Sequence, residues 1–265
     1  MEKAVCLKKL AQSLLRIAIA LAVLLGIPAL LYFLWSPGAL NAHGKFDHGQ
    51  NAIWLGHGWL GDDGWFLRNC RDPELFRSPE RIAELMRQLQ SQHIRFVYPH
   101  LCPAQFSGEI APYDSDQLER FLDAAEAADI EVIPWIGGVF GESARLENQR
   151  WRTQFVDSVK ELLEKHPRLA GVQVNIEPLP SGNPDFLSLL DELRPILRDR
   201  ILGVAAYPPP TKWHPHPNVH WELSYLAEVA KRSDQMAEVH AEADLRQTAT
   251  AVFLGKTLLL AEGYG

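Results

Sequence analysis

The segment Ala170-Gly171-Val172-Gln173-Val174-Asn175-Ile176-Glu177-Pro178 alternates polar and apolar residues. Successive side chains of an extended strand face opposite ways, so Gln173, Asn175 and Glu177 share one face and Val172, Val174 and Ile176 the other. If the strand belongs to a barrel, the polar set points inward with Glu177 at the carboxyl-terminal rim, where barrel active sites sit. A buried hydrogen-bonded trio that only fills space is the competing reading. Trp59, Trp65, Tyr98, Trp135, Tyr207 and Trp213 lie in or next to predicted strands and offer flat faces for stacking on a ligand.

Other polar clusters carry less. His214-x-His216 with His220 sits among prolines at a spacing that matches no helical ligand pair, so no metal is expected. Asp62-Asp63-Gly64 reads first as a turn and second as a binder of hydroxyl groups. Gly56, Gly58, Gly61 and Gly64 do not fit a dinucleotide-binding fingerprint, and no cofactor is expected.

Short apolar runs alternating with helical patterns position these residues, and that alternation predicts βαβ units and a parallel sheet. The predicted strands are Ala52–Gly56, Ile94–Tyr98, Glu131–Ile136, Gly171–Glu177, Ile201–Tyr207 and a weak one near Met236–Val239. Between them fall a helix capped by Ser78 with Pro79 at its first position, a second at Ser115–Ala128, and a third marked by Trp151, Phe155, Val159 and Leu162. A fourth opens at Asn183-Pro184, and a fifth runs from about Trp221 to Arg232. The count predicts a (β/α)8 TIM-type barrel over 51–240, compact or incomplete at its C-terminus, because a closed barrel takes ~250 residues. Residues 241–265 stay unassigned.

Ile17 to Trp35 holds no charged residue, and at roughly 1.5 Å per residue it approaches the ~30 Å of a bilayer core. Lys3, Lys8, Lys9 and Arg16 precede it. Together these predict a cytoplasmic flank (1–16), a single-pass transmembrane anchor (17–35), a linker (36–50) and a domain on the non-cytoplasmic, periplasmic or extracellular side. A cleaved signal peptide is the rival reading, and it exports the same domain. Net charge is −7 and the pI near 5.8, with no basic stripe, which excludes a nucleic-acid partner. Cys70 and Cys102 fall in the exported part, where oxidising conditions favour a disulfide; a pair of free thiols is the alternative.

The fourth predicted strand resembles that of the family 18 glycoside hydrolases, the chitinase-like barrels, which carry Asp-x-x-Asp-x-Asp-x-Glu with the last Glu as proton donor. Glu177 falls on that Glu, and the three aspartates fall on Ala170, Gln173 and Asn175. Val132-Ile133-Pro134-Trp135-Ile136-Gly137-Gly138 is similar to the family's Ser-x-Gly-Gly segment, with Trp135 at the serine. Asn-x-Glu is similar to the family 85 endo-β-N-acetylglucosaminidases, whose asparagine orients the substrate's acetamido group. The family's sixth-strand Met-x-Tyr-Asp is expected near Met236, where Met236-Ala237-Glu238-Val239-His240 stands.

This resemblance implies a membrane-anchored glycosidase acting on an N-acetylhexosamine-containing glycan. Glu177 and Asn175 would be its catalytic pair, with Gln173, Trp135, Tyr207, Trp213, Trp59 and Tyr98 binding substrate. A non-catalytic barrel that binds glycan or protein through the same rim is the alternative, and a barrel hydrolase with a second carboxylate among Glu242, Asp244 and Glu262 is a third.

Overall fold

Alternation of apolar and polar residues at period two builds the sheet that carries the candidate residues. The computed structural model describes residues 2–34, 50–209 and 220–238, and the chain divides into two units, Met1–His48 and Gly49–Gly265. In the second unit the strands are β1 (Asn51–Leu55), β2 (Ile94–Pro103), β3 (Glu131–Val132), β4 (Trp135–Val139), β5 (Gly171–Glu177), β6 (Ile201–Ala206) and β7 (Gln235–Glu238). They form one all-parallel curled sheet in the order β1-β2-β4-β5-β6-β7, with β3 also paired to β2. Pro134 has no N–H to give a ladder, and β3 and β4 are two halves of one strand position broken there.

Sequential parallel order makes this the winding of a barrel rather than of an open doubly wound sheet, and six successive strand positions lie among the described residues. The unassigned tail, 241–265, lies outside them.

Helices fill each crossover. The first helix of the chain, α1 (Glu2–Leu34), belongs to the other unit; the crossovers hold α2 (Gly64–Arg68) with a 3-10 turn (Pro73–Phe76) and α3 (Pro79–Ser91), then α4 (Ser115–Ala127), α5 (Gln149–Lys165), α6 (Pro184–Leu197) and α7 (Leu223–Ala230). Polar caps start them as the sequence predicts. Ser78 accepts from the Arg81 N–H, Asp114 from Asp116 and Gln117, and Asn183 from Phe186, with Pro79 and Pro184 at the first helical positions.

The two faces of the sheet are chemically distinct. Leu55, Val97, Val132, Ile136, Val172, Val174, Ile176, Leu202, Val204 and Met236 pack outward with helix residues such as Leu122, Phe155, Leu190 and Val229. Inward, Ala52, Phe96, Tyr98, Ile133 and Ala237 make a smaller cluster that Trp54 and Trp135 join. Phe155 is fully buried on the helix side with its ring stacked on Trp151 at 5.1 Å. Phe155→Ala should therefore lower unfolding stability by about 3–5 kcal/mol, read as a fall in the urea midpoint with an unchanged slope.

Ion pairs tie neighbouring helices on the outside. Glu119 of α4 accepts from His166 at the end of α5 and from Arg168, and these contacts, the His166 bond first, hold its carboxyl below the usual range. A lowered carboxylate stabilises the fold above its unfolded pKa of ~4.3 and loses that contribution as pH falls through the folded value. Glu119→Gln should thus have a lower urea midpoint than wild type at pH 7, and the gap should close in acid.

In the first unit α1 runs unbroken past Pro28, and its described side chains, 12–28 and 30, are all exposed. Among the described residues no helix is long and apolar enough to cross a membrane. The expected anchor, Ile17 to Trp35, extends beyond that described stretch.

Candidate functional site

Parallel register lines up one rung of inward positions across the sheet: His100, Trp135, Gln173, Gly203 and Gln235. Gln173 is fully buried and its Oε1 accepts from Trp54 Nε1 at 2.6 Å, while Tyr98 donates to Gln235 Oε1 at 2.8 Å. These two bonds make a polar floor in which the Gln173 Nε2 is buried without a hydrogen-bond partner among the described residues. Tyr98 is thereby a buried floor residue, pushed up in pKa by burial, and not a surface on which substrate stacks.

Above the floor, β5 carries Asn175 and then Glu177 on the same face, both half-buried at the carboxyl end of the strand. Asn175 lies beside Gly137 and Glu177 beside Val139 of β4, and the Phe140 N–H donates to the Glu177 carbonyl at 3.0 Å. Glu177–Pro178 is a cis peptide. Asn175 Oδ1 is buried without a hydrogen-bond partner among the described residues. A buried carboxamide oxygen left free is a costly feature that a donor on a ligand would satisfy.

Tyr207 stands close enough to feel Glu177. Burial, with the Glu177 charge adding to it, pushes its phenol up to about 12, so it stays neutral at any physiological pH. Its ring meets Trp221 edge-on at 6.1 Å, and Trp221 Nε1 donates to the Leu179 carbonyl at 2.9 Å, which fixes the turn after β5. Trp135 is half-buried, with Nε1 donating to the Leu55 carbonyl at 3.3 Å. Glu177, Asn175, Gln173, Trp135 and Tyr207 therefore share the inward face or its rim.

Trp59 does not join them. It packs against Phe76 at 5.0 Å and Phe121 at 6.1 Å, on the helix side, because the loop after β1 folds over α4. Trp213 lies outside the described residues, as do His214 and His216; His220 stands 3.9 Å from Glu222. The expected Cys70–Cys102 disulfide is corrected at Cys70, which is an exposed free thiol. The reason is local. Chain after β1 coils into α2, and Cys70 follows its C-terminus in a left-handed conformation (φ 52) that faces solvent.

Sequence reasoning missed a second group on the same rim. Asp62, read as a turn residue, is buried, and its Oδ2 accepts from His57 Nδ1 at 2.7 Å and from His100 Nδ1, while Oδ1 accepts from the Gly58 N–H at 2.6 Å. Burial opposes the Asp62 charge, but the bonds from His100, His57 and Gly58 outweigh it and hold the carboxyl below its ordinary range. Burial likewise pushes the His100 imidazole down despite Asp62. Asp63 instead pairs with Arg77 at 2.5 Å, and Arg77 reaches Asp114 at 3.1 Å, clamping the loop onto the start of α4. The available signal was the run of glycines after β1 followed by two aspartates; nothing in it names His100 as the partner.

No protein-family model and no curated protein matches the sequence. Among solved structures, the C-terminal domain of a candidate chitinase from Desulfitobacterium hafniense is similar, at TM-score 0.56 and 13% identity over 74% of this chain and 55% of that one. The spore cortex-lytic enzyme SleL of Bacillus megaterium gives 0.52 and 11% over 72% and 42%, and a Chromobacterium violaceum chitinase 0.50 and 14% over 74% and 57%. The chain spans about half the length of these structures. At such identities the likeness is one of fold: a curled parallel α/β sheet of the kind found in glycoside hydrolase barrels.

Proposed function

We propose that this chain is a glycoside hydrolase that cleaves an N-acetylhexosamine-containing glycan with help from the substrate's own acetamido group. One observation carries the reading: Glu177 and Asn175 stand side by side on the inward face at the carboxyl end of β5, with the Asn175 carboxamide oxygen buried and unsatisfied. The carboxyl ends of barrel strands are where barrel enzymes do their chemistry. In the proposed reaction Asn175 Oδ1 accepts the acetamide N–H and aims its carbonyl oxygen at the anomeric carbon. That oxygen attacks as Glu177 protonates the departing glycosidic oxygen. Water then attacks the same carbon, with the Glu177 carboxylate taking its proton, so one acid serves both steps.

The similar solved structures are, by name, chitinases and a cortex-lytic enzyme, which supports a glycan substrate. Gln173 favours the non-catalytic alternative in one respect, since its bond to Trp54 makes a structural plug where the resembled family has an acid. Release of reducing ends from N-acetylglucosamine oligomers and from peptidoglycan glycan, by the purified chain, separates the two. Hydrolysis supports the enzyme; binding of oligomers with no hydrolysis supports the binding barrel.

The uncharged run from Ile17 to Trp35, flanked by Lys8, Lys9 and Arg16, supports attachment of the domain to a membrane on its non-cytoplasmic side. The full-length chain should stay with membranes through an alkaline wash; its recovery in the supernatant would reject the anchor.

A further inference from the structure

We infer that His57, Asp62 and His100 bind one divalent transition-metal ion of the zinc class on the rim between β1 and β2. Each residue offers a donor atom, and these atoms lie within 4.8 Å of one another. A tetrahedral ion with bonds of ~2.1 Å holds its donors about 3.4 Å apart, so small side-chain adjustments suffice. Two imidazoles and one carboxylate form a donor set that zinc accepts while keeping further positions open for water or ligand.

The surroundings are built to hold that set. Asp62 and His100 are buried, whereas the His57 side chain is 28% exposed, which gives an ion one way in. Both Nδ1 atoms converge on one carboxylate oxygen, and the imidazole centroids are 3.9 Å apart. A cation at that convergence would take the place of two protons directed at a single oxygen. The other Asp62 oxygen is fixed by the Gly58 N–H, the kind of outer contact that orients a ligating carboxylate. Gly58 adopts φ 98, and a Cβ there would lie 2.7 Å from the Phe76 ring, so the loop geometry that presents Asp62 depends on a glycine. Aromatic rings set the imidazole planes: Trp65 stacks on His57 at 4.7 Å and 11°, and Trp135 meets His100 edge-on at 4.3 Å.

The inference is independent of the role of Glu177. Its test is metal binding by the full-length chain, purified in detergent, stripped with a chelator and titrated with Zn²⁺ by calorimetry and with Co²⁺ by visible absorption. One ion per chain and the Co²⁺ bands of a low-coordinate nitrogen–oxygen site are expected. Removing ligands should cost at least as much as removing the outer contacts of metal ligands, so His57→Ala and Asp62→Asn should each weaken binding by about 100-fold or more. His57 is the partly exposed member and its replacement leaves the packed core alone, so H57A remains a folded test if D62N does not. A chain with both His214→Ala and His216→Ala should bind as wild type does. Absence of saturable binding, or binding equally tight in H57A, would overturn the inference and leave a hydrogen-bonded carboxylate between two imidazoles.

Discussion

Glu177→Gln should lower glycan hydrolysis by about 10²- to 10⁴-fold and leave glycan binding in place, because what it removes is the proton given to the leaving oxygen. The substitution is nearly isosteric at a half-buried position on the last residue of β5, so the strand keeps its place beside Val139. Tyr207 gives the experiment a clean background. With the Glu177 charge gone, burial still holds its phenol above the ordinary tyrosine value, so it cannot replace the missing carboxylate as a base at neutral pH. Asn175→Ala should also slow turnover, and a substrate whose 2-acetamido group is replaced by hydroxyl should be poor for wild type, since it lacks the attacking oxygen. Rates of reducing-end release for the three proteins on both substrates check the set. Hydrolysis that survives Glu177→Gln unchanged would remove this residue from the mechanism.

Local signals were sufficient wherever a residue's role depends on its immediate neighbours. Ser78-Pro79 and Asn183-Pro184 marked two helix starts to the residue, and the alternation in Gly171–Glu177 gave both the bounds of β5 and the face on which Gln173, Asn175 and Glu177 stand. Two strand readings failed. The second strand was expected to end at Tyr98, yet β2 continues to Pro103 and carries His100 onto the inward face. Pro134 was read through as strand and instead splits that position into β3 and β4. The His57–Asp62–His100 group was illegible for a different reason. Its key bond joins residues 38 positions apart, Asp62 in the loop after β1 and His100 within β2, and only the pairing of β1 with β2 brings them together. Trp59 shows the converse limit, since a tryptophan after a strand can turn to either side of the sheet, and the chain's path over α4 decided for the helix side.

Gly137→Ala should be among the most damaging single methyl additions in the chain, costing at least about 3 kcal/mol or abolishing soluble expression. A Cβ built at Gly137 would sit 1.7 Å from the Asn175 carbonyl oxygen, and its φ of 155 is one that side chains rarely adopt. No flexible side-chain end is there to give way. On one flank the Gly137 carbonyl accepts the Ala104 N–H at 2.6 Å, and on the other β5 is held in register from Gln173 to Glu177. Relief would require β4 and β5 to part at the rung that positions Asn175, so any folded fraction should lose activity as well as stability. Gly56→Ala is the control: no atom lies within 4 Å of its Cβ, and its stability should stay within about 0.5 kcal/mol of wild type. Urea midpoints of the two variants and the wild type, with hydrolysis rates on the same preparations, decide the matter. An unshifted midpoint for Gly137→Ala would mean that the close approach of β4 to β5 is not the reason a glycine stands there.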